Sequence, residues 1–523
     1  MMKQRSRTEY SLINIVVNLG GYGINTLIGF ICRIVFVRTL AADYLGVSGL
    51  FTNILSMLSL AELGIGSAIG YALYKPLAEN DEEKIASLMQ FYGKAYKLIG
   101  GFVAVIGLFM LPFLNIIINN PPDIKENLYF IYLLYLFNVV FSYFFSYKST
   151  LLSAAQRNYI VAGYNYVITI GQSIFQIVYL ALTHEYIGYL IIQIAGGALY
   201  NVWISCKANK DYSYIKNKNA APLSKQETKS LLWNVKALTV NKLSGVLVNN
   251  TDNIAITYFN GLKSVGFASN YILFSTTLDA LITRTFNALT GSVGNLNATK
   301  DEEGRYAFFK VLNLANFWLY GWAAIGMAFV SGDLVRLFYG ESYVLPLKIP
   351  LILAVNFYTI GMLHASYTYK STLGLFKYGQ YILIFTGIIN LFLDVILGSE
   401  FGIFGIYVAT LIARLCTNLW YEPYAVYRYG LKKNPLLYLM RYSVFTVVLI
   451  VAGGICYLFC NLCSFSVGVN VLIKCIICTF VPNILFALCF GKTVEFRYLK
   501  DSIGSIVIRL FRRSHKSDDK KHA

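Results

Sequence analysis

Apolar runs of about 20 residues or more, separated by short polar segments, recur along almost the whole chain. As helix, a run of that length crosses the roughly 30 Å hydrocarbon core of a bilayer. Inside lipid the backbone must satisfy its own hydrogen bonds, so repeated runs of this kind predict an all-α polytopic membrane protein. The expected spans are 12–37, 45–73, 92–117, 128–150, 160–182, 187–206, 237–259, 265–293, 306–330, 347–370, 378–397, 402–422, 441–461 and 467–490, fourteen in all. The longest interruption is the stretch Cys206–Lys236, with Lys207, Lys210, Lys216, Lys218, Lys225, Lys229 and Lys236. Six spans precede it, six follow, and two close the chain.

The two groups of six carry the same sequence landmarks. Leu45-Gly46 and Val265-Gly266 lie 220 positions apart, as do Asp81-Glu82-Glu83 and Asp301-Glu302-Glu303. Tyr147-Lys148-Ser149-Thr150-Leu151 recurs as Tyr369-Lys370-Ser371-Thr372-Leu373, and Asn201 and Trp203 match Asn418 and Trp420. An even number of spans per copy makes the second copy enter the membrane in the same direction as the first. The expected domains are therefore an N-terminal six-helix lobe (1–206), a basic connector (207–236), a parallel C-terminal six-helix lobe (237–430), two additional helices (431–491) and a basic tail (492–523). Substrate sites of secondary transporters lie where such repeats meet; duplication that merely enlarges a scaffold is the plainer alternative.

Composition agrees with a membrane protein: 57% of residues are hydrophobic, 13% are charged, and mean hydropathy is +0.56. A formal charge of +18 suggests nucleic acid only until its distribution is seen. Lysine and arginine gather between alternate spans, at Lys75, Lys84, Lys148, Arg157, the connector, Lys300, Arg305, Lys370, Lys377, Arg428, Lys432, Lys433 and the tail. The opposite side holds little beyond Arg38, Lys125, Lys263, Arg336 and Lys348. That asymmetry predicts both termini in the cytoplasm and no nucleic-acid partner. The basic start at Lys3, Arg5 and Arg7 resembles a signal peptide, but its apolar run extends too far and is expected to remain as the first span. Neither the nine cysteines nor His184, His364, His515 and His522 show metal-ligand spacing. The tyrosines from Tyr129 to Tyr147 have two open readings, a lipid-facing series or a sugar path.

Of the charges inside the expected spans, the candidates for function are few: Arg33, Glu62, Lys242, Asp252, Asp279, Arg284, Asp394 and Arg414. Each is costly in hydrocarbon and is expected to face protein or a water-filled cavity. The repeat offset puts Arg33 at the depth of Asp252, and Glu62 at that of Arg284. Two readings stand side by side. The pairs are structural ion pairs, or Arg33, Lys242 and Arg284 receive an anionic group, for which guanidinium is well shaped. Asn390 and Asp394, four residues apart on one helix face, join Asp252 and Thr410 as hard oxygen ligands for a small cation. A hydrated Asp394 at the outer interface is the alternative.

The stretch from Leu45-Gly46 through Leu60-Ala61-Glu62-Leu63-Gly64-Ile65-Gly66-Ser67-Ala68 to Lys75-Pro76-Leu77-Ala78-Glu79-Asn80-Asp81 resembles the N-terminal signature of bacterial polysaccharide transporters. These are lipid-linked oligosaccharide flippases of the multidrug/oligosaccharidyl-lipid/polysaccharide (MOP) exporter superfamily. The resemblance is specific over spans 1 to 3 and extends along the chain in topology. It implies two lobes around a central cavity lined by spans 1, 2, 7 and 8, where Arg33, Glu62, Lys242, Asp279 and Arg284 would meet substrate. The implied substrate is an undecaprenyl-pyrophosphate-linked oligosaccharide for capsule, O-antigen or another surface polysaccharide. It would move by alternating access across the bacterial cytoplasmic membrane. By analogy with the related lipid II flippases, the last two helices would hold the lipid tail, and Asp252, Asn390, Asp394 and Thr410 would bind sodium, with a proton as the other coupling ion. No organic cofactor or catalytic residue is implied. Membrane lipids, a polysaccharide polymerase and glycosyltransferases are the implied partners. The alternatives are a cation-coupled multidrug exporter, for which the extra helix pair is unexpected, and a membrane glycan polymerase or ligase, for which the outer loops are short.

Overall fold

The computed structural model describes residues 7–59, 65–118, 122–217, 220–375, 378–379 and 381–501; at 7–19, 67, 234, 236–238, 240–250, 288, 291–292 and 298 the description is of backbone alone. Among these residues the chain is helical, with no strand. The first copy of the repeat supplies α1 (Arg7–Thr39), α2 (Ala42–Leu58), α3 (Ile65–Glu79), α4 (Glu82–Phe109), the short α5 (Leu114–Ile117), α6 (Leu128–Tyr143), α7 (Tyr147–Ala154), α8 (Asn158–Thr183) and α9 (Tyr186–Asp211). The second supplies α10 (Lys225–Asn260), α11 (Leu262–Thr299), α12 (Glu302–Tyr339), α13 (Lys348–Gly361), α14 (His364–Thr372), α15 (Ile382–Cys416) and α16 (Asn418–Ala425). Then come α17 (Leu436–Asn461) and α18 (Val467–Phe490).

Ten helices among the described residues are long and apolar enough to cross a membrane, or eleven if α6 and α7, bent by 44°, form one span. The difference from fourteen lies in three places. Helix α2 is 17 residues long, and residues 60–64 beyond it are outside the described residues. Helix α10 is described largely by its backbone over 234–250 and does not enter the count. The spans expected at 378–397 and 402–422 form one run, interrupted where Gly402 leaves helical geometry at φ 58° and ψ −139°. A side chain there would be strained and would also meet Asn260.

The repeated Asp-Glu-Glu triplet has a local cause. Asp81 accepts the backbone N–H of Lys84 at 2.9 Å, and Asp301 that of Gly304 at 3.0 Å. Both triplets therefore start a helix, with an N-cap and two acids where the helix dipole favours negative charge. The connector ends in a capping box, Ser224 with Glu227, that starts α10. Glu227 also hydrogen-bonds Lys84, which is the main cause holding its carboxyl below the usual range.

The chain divides into two compact units, Met1–Ser269 with Gly387–Ile406, and Asn270–Thr386 with Tyr407–Ala523. In the first unit, α2 meets the start of α11 without room for a side chain. A Cβ on Gly46 would run into the Leu262 carbonyl, and one on Gly266 into the Ala42 carbonyl. These four positions exchange under the 220-residue offset, so the repeated Leu-Gly and Val-Gly pairs are the two halves of one symmetric contact. Its interior is rich in tyrosine. Tyr132 donates to the Gly107 carbonyl at 2.9 Å, Tyr135 to Ser48 at 2.8 Å, and Tyr143 is buried. Of the Tyr129 to Tyr147 series, Tyr132, Tyr135 and Tyr143 are therefore core, while Tyr129 is exposed and Tyr147 half-buried.

In the second unit α12 is the central helix, packed by α13, α14, α17 and α18. Phe317 stacks on Phe445 of α17, with ring centroids 4.4 Å apart, and meets Phe486 and Phe490 of α18. The two C-terminal helices are thus bound into this unit by aromatic packing.

Candidate functional site

The first unit holds a buried carboxylate cluster. Residues Gly387–Ile406 of α15 belong to this unit, which brings Asn390 and Asp394 beside α10. Thr251 donates to Asn390 Oδ1 at 3.4 Å, and Asn390 Nδ2 donates to Asp394 Oδ1 at 3.0 Å. Asn390 and Asp394 are fully buried, and among the described residues Asp394 Oδ2 has no hydrogen-bond partner. Asp252, next to Thr251, lies near enough for its carboxylate to repel that of Asp394. Two carboxylates side by side in a low-dielectric interior require a cation or a proton to offset their desolvation. The oxygens present suit a small, hard cation. Among the described residues no group of three or more His, Cys, Asp or Glu is placed to hold a metal.

Asp252, Asn390 and Asp394 of the expected cation ligands lie together in the first unit, and Thr410 is buried on α15. Thr251, which the sequence reading did not select, completes the cluster. Its signal was position: a hydroxyl beside Asp252 in a helix otherwise expected to face lipid or cavity.

Of the expected anion-binding residues, Arg33 lies on α1, half-buried, and its Nη2 donates to Ser269 Oγ at 2.5 Å. Lys242 lies on α10 with its side chain outside the described residues, and Glu62 lies wholly outside them. Asp279 and Arg284 lie on α11 in the second unit. Arg414, also in that unit, donates to Asn356 Oδ1 at 3.3 Å, and Asn356 in turn donates to the Tyr407 carbonyl at 2.8 Å.

Asp279 has a neighbour that sequence reasoning missed. His364 Nε2 lies 3.6 Å from Asp279 Oδ1, and its ring stacks on Tyr320 at 5.4 Å. Tyr320 donates to the same carboxylate at 2.8 Å, and Thr283 lies 3.4 Å from His364. His364 fits no metal-ligand spacing, but an ionisable residue within an apolar span is itself a signal. The cluster shows that Asp279 is held by aromatic and imidazole partners from α12 and α14.

No protein-family model matches the chain, and no curated protein sequence does. Solved structures do match. The lipid II flippase MurJ, in an inward closed conformation, has a TM-score of 0.65 at 15% identity, covering 92% of this chain and 100% of its own. An inward-facing multidrug resistance MATE family transporter of the MOP superfamily has a TM-score of 0.57 at 14% identity, covering 78% of this chain and 95% of its own. A MOP superfamily transporter from Pyrococcus furiosus has a TM-score of 0.52 at 13% identity, covering 81% and 96%. At these identities the likeness is one of fold: the chain is a multi-pass helical membrane protein with the fold of the MOP exporters.

Proposed function

We propose that the protein is a flippase that moves an undecaprenyl-pyrophosphate-linked oligosaccharide from the cytoplasmic to the outer leaflet for surface polysaccharide assembly. The observation that carries this reading is the extent of the structural match: the lipid II flippase covers 92% of the chain, against 78% and 81% for the other two transporters. A second feature supports a lipid-borne substrate. The second unit has an apolar groove of about 640 Å3, whose walls include Ala328, Leu351, Val355, Leu415, Ile450 and Tyr457. A lipid tail is already in hydrocarbon, so the groove offers it no transfer gain, only close packing and a fixed direction. It suits steering a tail better than extracting a soluble drug.

In this reading Arg33, Lys242 and Arg284 bind pyrophosphate, with Glu62 and Asp279 tempering the charge. The carboxylate cluster of Asp252, Asn390 and Asp394, with Thr410 as the fourth expected ligand, binds the coupling cation. Both termini lie in the cytoplasm of a bacterial cell. The polymerase and glycosyltransferases of the same pathway are the functional partners.

Reconstituted in proteoliposomes, the protein is expected to expose a fluorescent lipid-pyrophosphate sugar to the opposite leaflet. Removing one charge-assisted phosphate contact, in Arg33→Ala or Arg284→Ala, should slow this roughly tenfold or more without loss of folded protein. Full rates in both variants exclude the anion-binding assignment. A sodium gradient should alter the wild-type rate and leave Asp394→Asn unaffected; an effect that persists in the variant removes the cation site.

A further inference from the structure

A lysine-lined cavity of about 610 Å3 lies in the first unit, beside the first half of α4 and near the connector. Its walls carry Lys94 and Lys97 from α4, Lys148 from α7, Lys216 from the 3-10 turn Ser213–Lys216, and the amides of Gln90 and Asn209. Among the described residues no carboxylate lines it. Two acids of this unit are engaged elsewhere, Glu227 with Lys84 and Asp211 with Arg157 and Lys207, while Glu82 lies toward Tyr214. Lys97 and Lys216 lie close enough to Lys148 for their charges to repel. Like charges gathered around an open hollow create a local field that an anion relieves.

The internal repeat shows which group is missing. Its alignment sets Lys148 against Lys370, and Ser205 against Glu422. The same contact forms in both copies. Lys370 Nζ donates to Glu422 Oε2 at 2.6 Å, whereas Lys148 Nζ donates to Ser205 Oγ at 2.8 Å. One copy neutralises its lysine, and the other keeps the geometry with a hydroxyl in place of the counterion. On the preceding helix Lys94 and Lys97 correspond to Leu314 and Phe317, both fully buried in the second unit. Copy two fills and neutralises this position; copy one leaves it open and positive.

We propose that this cavity binds a phosphate group, presented by the headgroup of an anionic lipid in the adjoining leaflet. The lipid source follows from α4 itself. Beyond Lys94 the same helix face continues as Leu98, Phe102 and Val105, which are 77%, 55% and 67% exposed. A phosphate held by the lysines therefore has an acyl-facing apolar stripe running away from it. None of the residues assigned to translocation takes part, so the site stands or falls independently of the flipping assay.

The test uses the full-length protein in neutral detergent, titrated with short-chain phosphatidylglycerol, phosphatidylcholine and inorganic pyrophosphate, with binding read by native mass spectrometry. Phosphatidylglycerol is expected to bind about tenfold more tightly than phosphatidylcholine, and Lys148→Gln to weaken it about fivefold, the effect of one lysine at an anionic surface. Ser205→Glu installs the counterion that the other copy already carries, so it should abolish the preference while thermal unfolding shows the fold intact. Pyrophosphate that competes as well as the lipid retains the phosphate site and identifies a soluble source. Equal binding of the two lipids without pyrophosphate binding, or a preference unchanged in both variants, overturns the proposal.

Discussion

Glu422→Ala is expected to lower the stability of the folded protein by about 3–5 kcal/mol, the usual consequence of breaking a buried ion pair from one side. Lys370 Nζ lies 2.6 Å from Glu422 Oε2, with side-chain exposures of 14% and 2%. Removing the carboxylate leaves an ammonium that is largely shielded from water and has lost its counterion. The double replacement Lys370→Met with Glu422→Leu should recover most of the loss, because two apolar groups of similar size leave nothing unpaired. Thermal unfolding of purified protein in detergent, with monodispersity as the readout, orders the three variants. A double variant as unstable as Glu422→Ala would show that the pair is not the cause. Lys148→Met should be milder than Glu422→Ala, since its partner Ser205 is neutral and is not left charged.

Gly46→Val and Gly266→Val are expected to destabilise by about 3 kcal/mol each, at the upper end of overpacking. In both cases the obstacle is a backbone carbonyl of the facing helix, Leu262 or Ala42, rather than the movable end of a side chain. The helices must separate, and the symmetric contact between α2 and α11 is lost from either side. Gly101→Ala is the control, because a Cβ there meets nothing within 4 Å; its melting temperature should stay at or above that of the wild type, as alanine favours helix. Equal shifts for Gly46→Ala and Gly101→Ala would contradict the close approach.

Much of this was legible along the chain. Asp81 and Asp301 precede acid pairs at the same offset, and N-capping makes that a helix start wherever it occurs, so the repeat could be read from local rules alone. Asn390 and Asp394 share a helix face by spacing, and their contact needs no tertiary information. Thr251, His364 and Ser205 were a different matter. Each matters through a residue on another helix: Asn390, Asp279 and Lys148 respectively. The Ser205 and Glu422 difference was present in the aligned repeats, but it carries meaning only once α7 and α9 are known to bring Lys148 against it.

Hydropathy, charge asymmetry and the repeat by themselves determined a polytopic helical protein built of two related halves, because lipid imposes continuous helix and duplication leaves its register in the residues. Tertiary structure decided which polar groups meet. It assigned Gly387–Ile406 to the first unit and so placed Asp394 beside Asp252. It buried Tyr132, Tyr135 and Tyr143 of α6 in that unit's core, and it left Lys148 in an open basic cavity while Lys370 found a carboxylate. Membrane insertion selects how apolar a helix is along its length; which face meets which neighbour is set by packing between helices far apart in sequence.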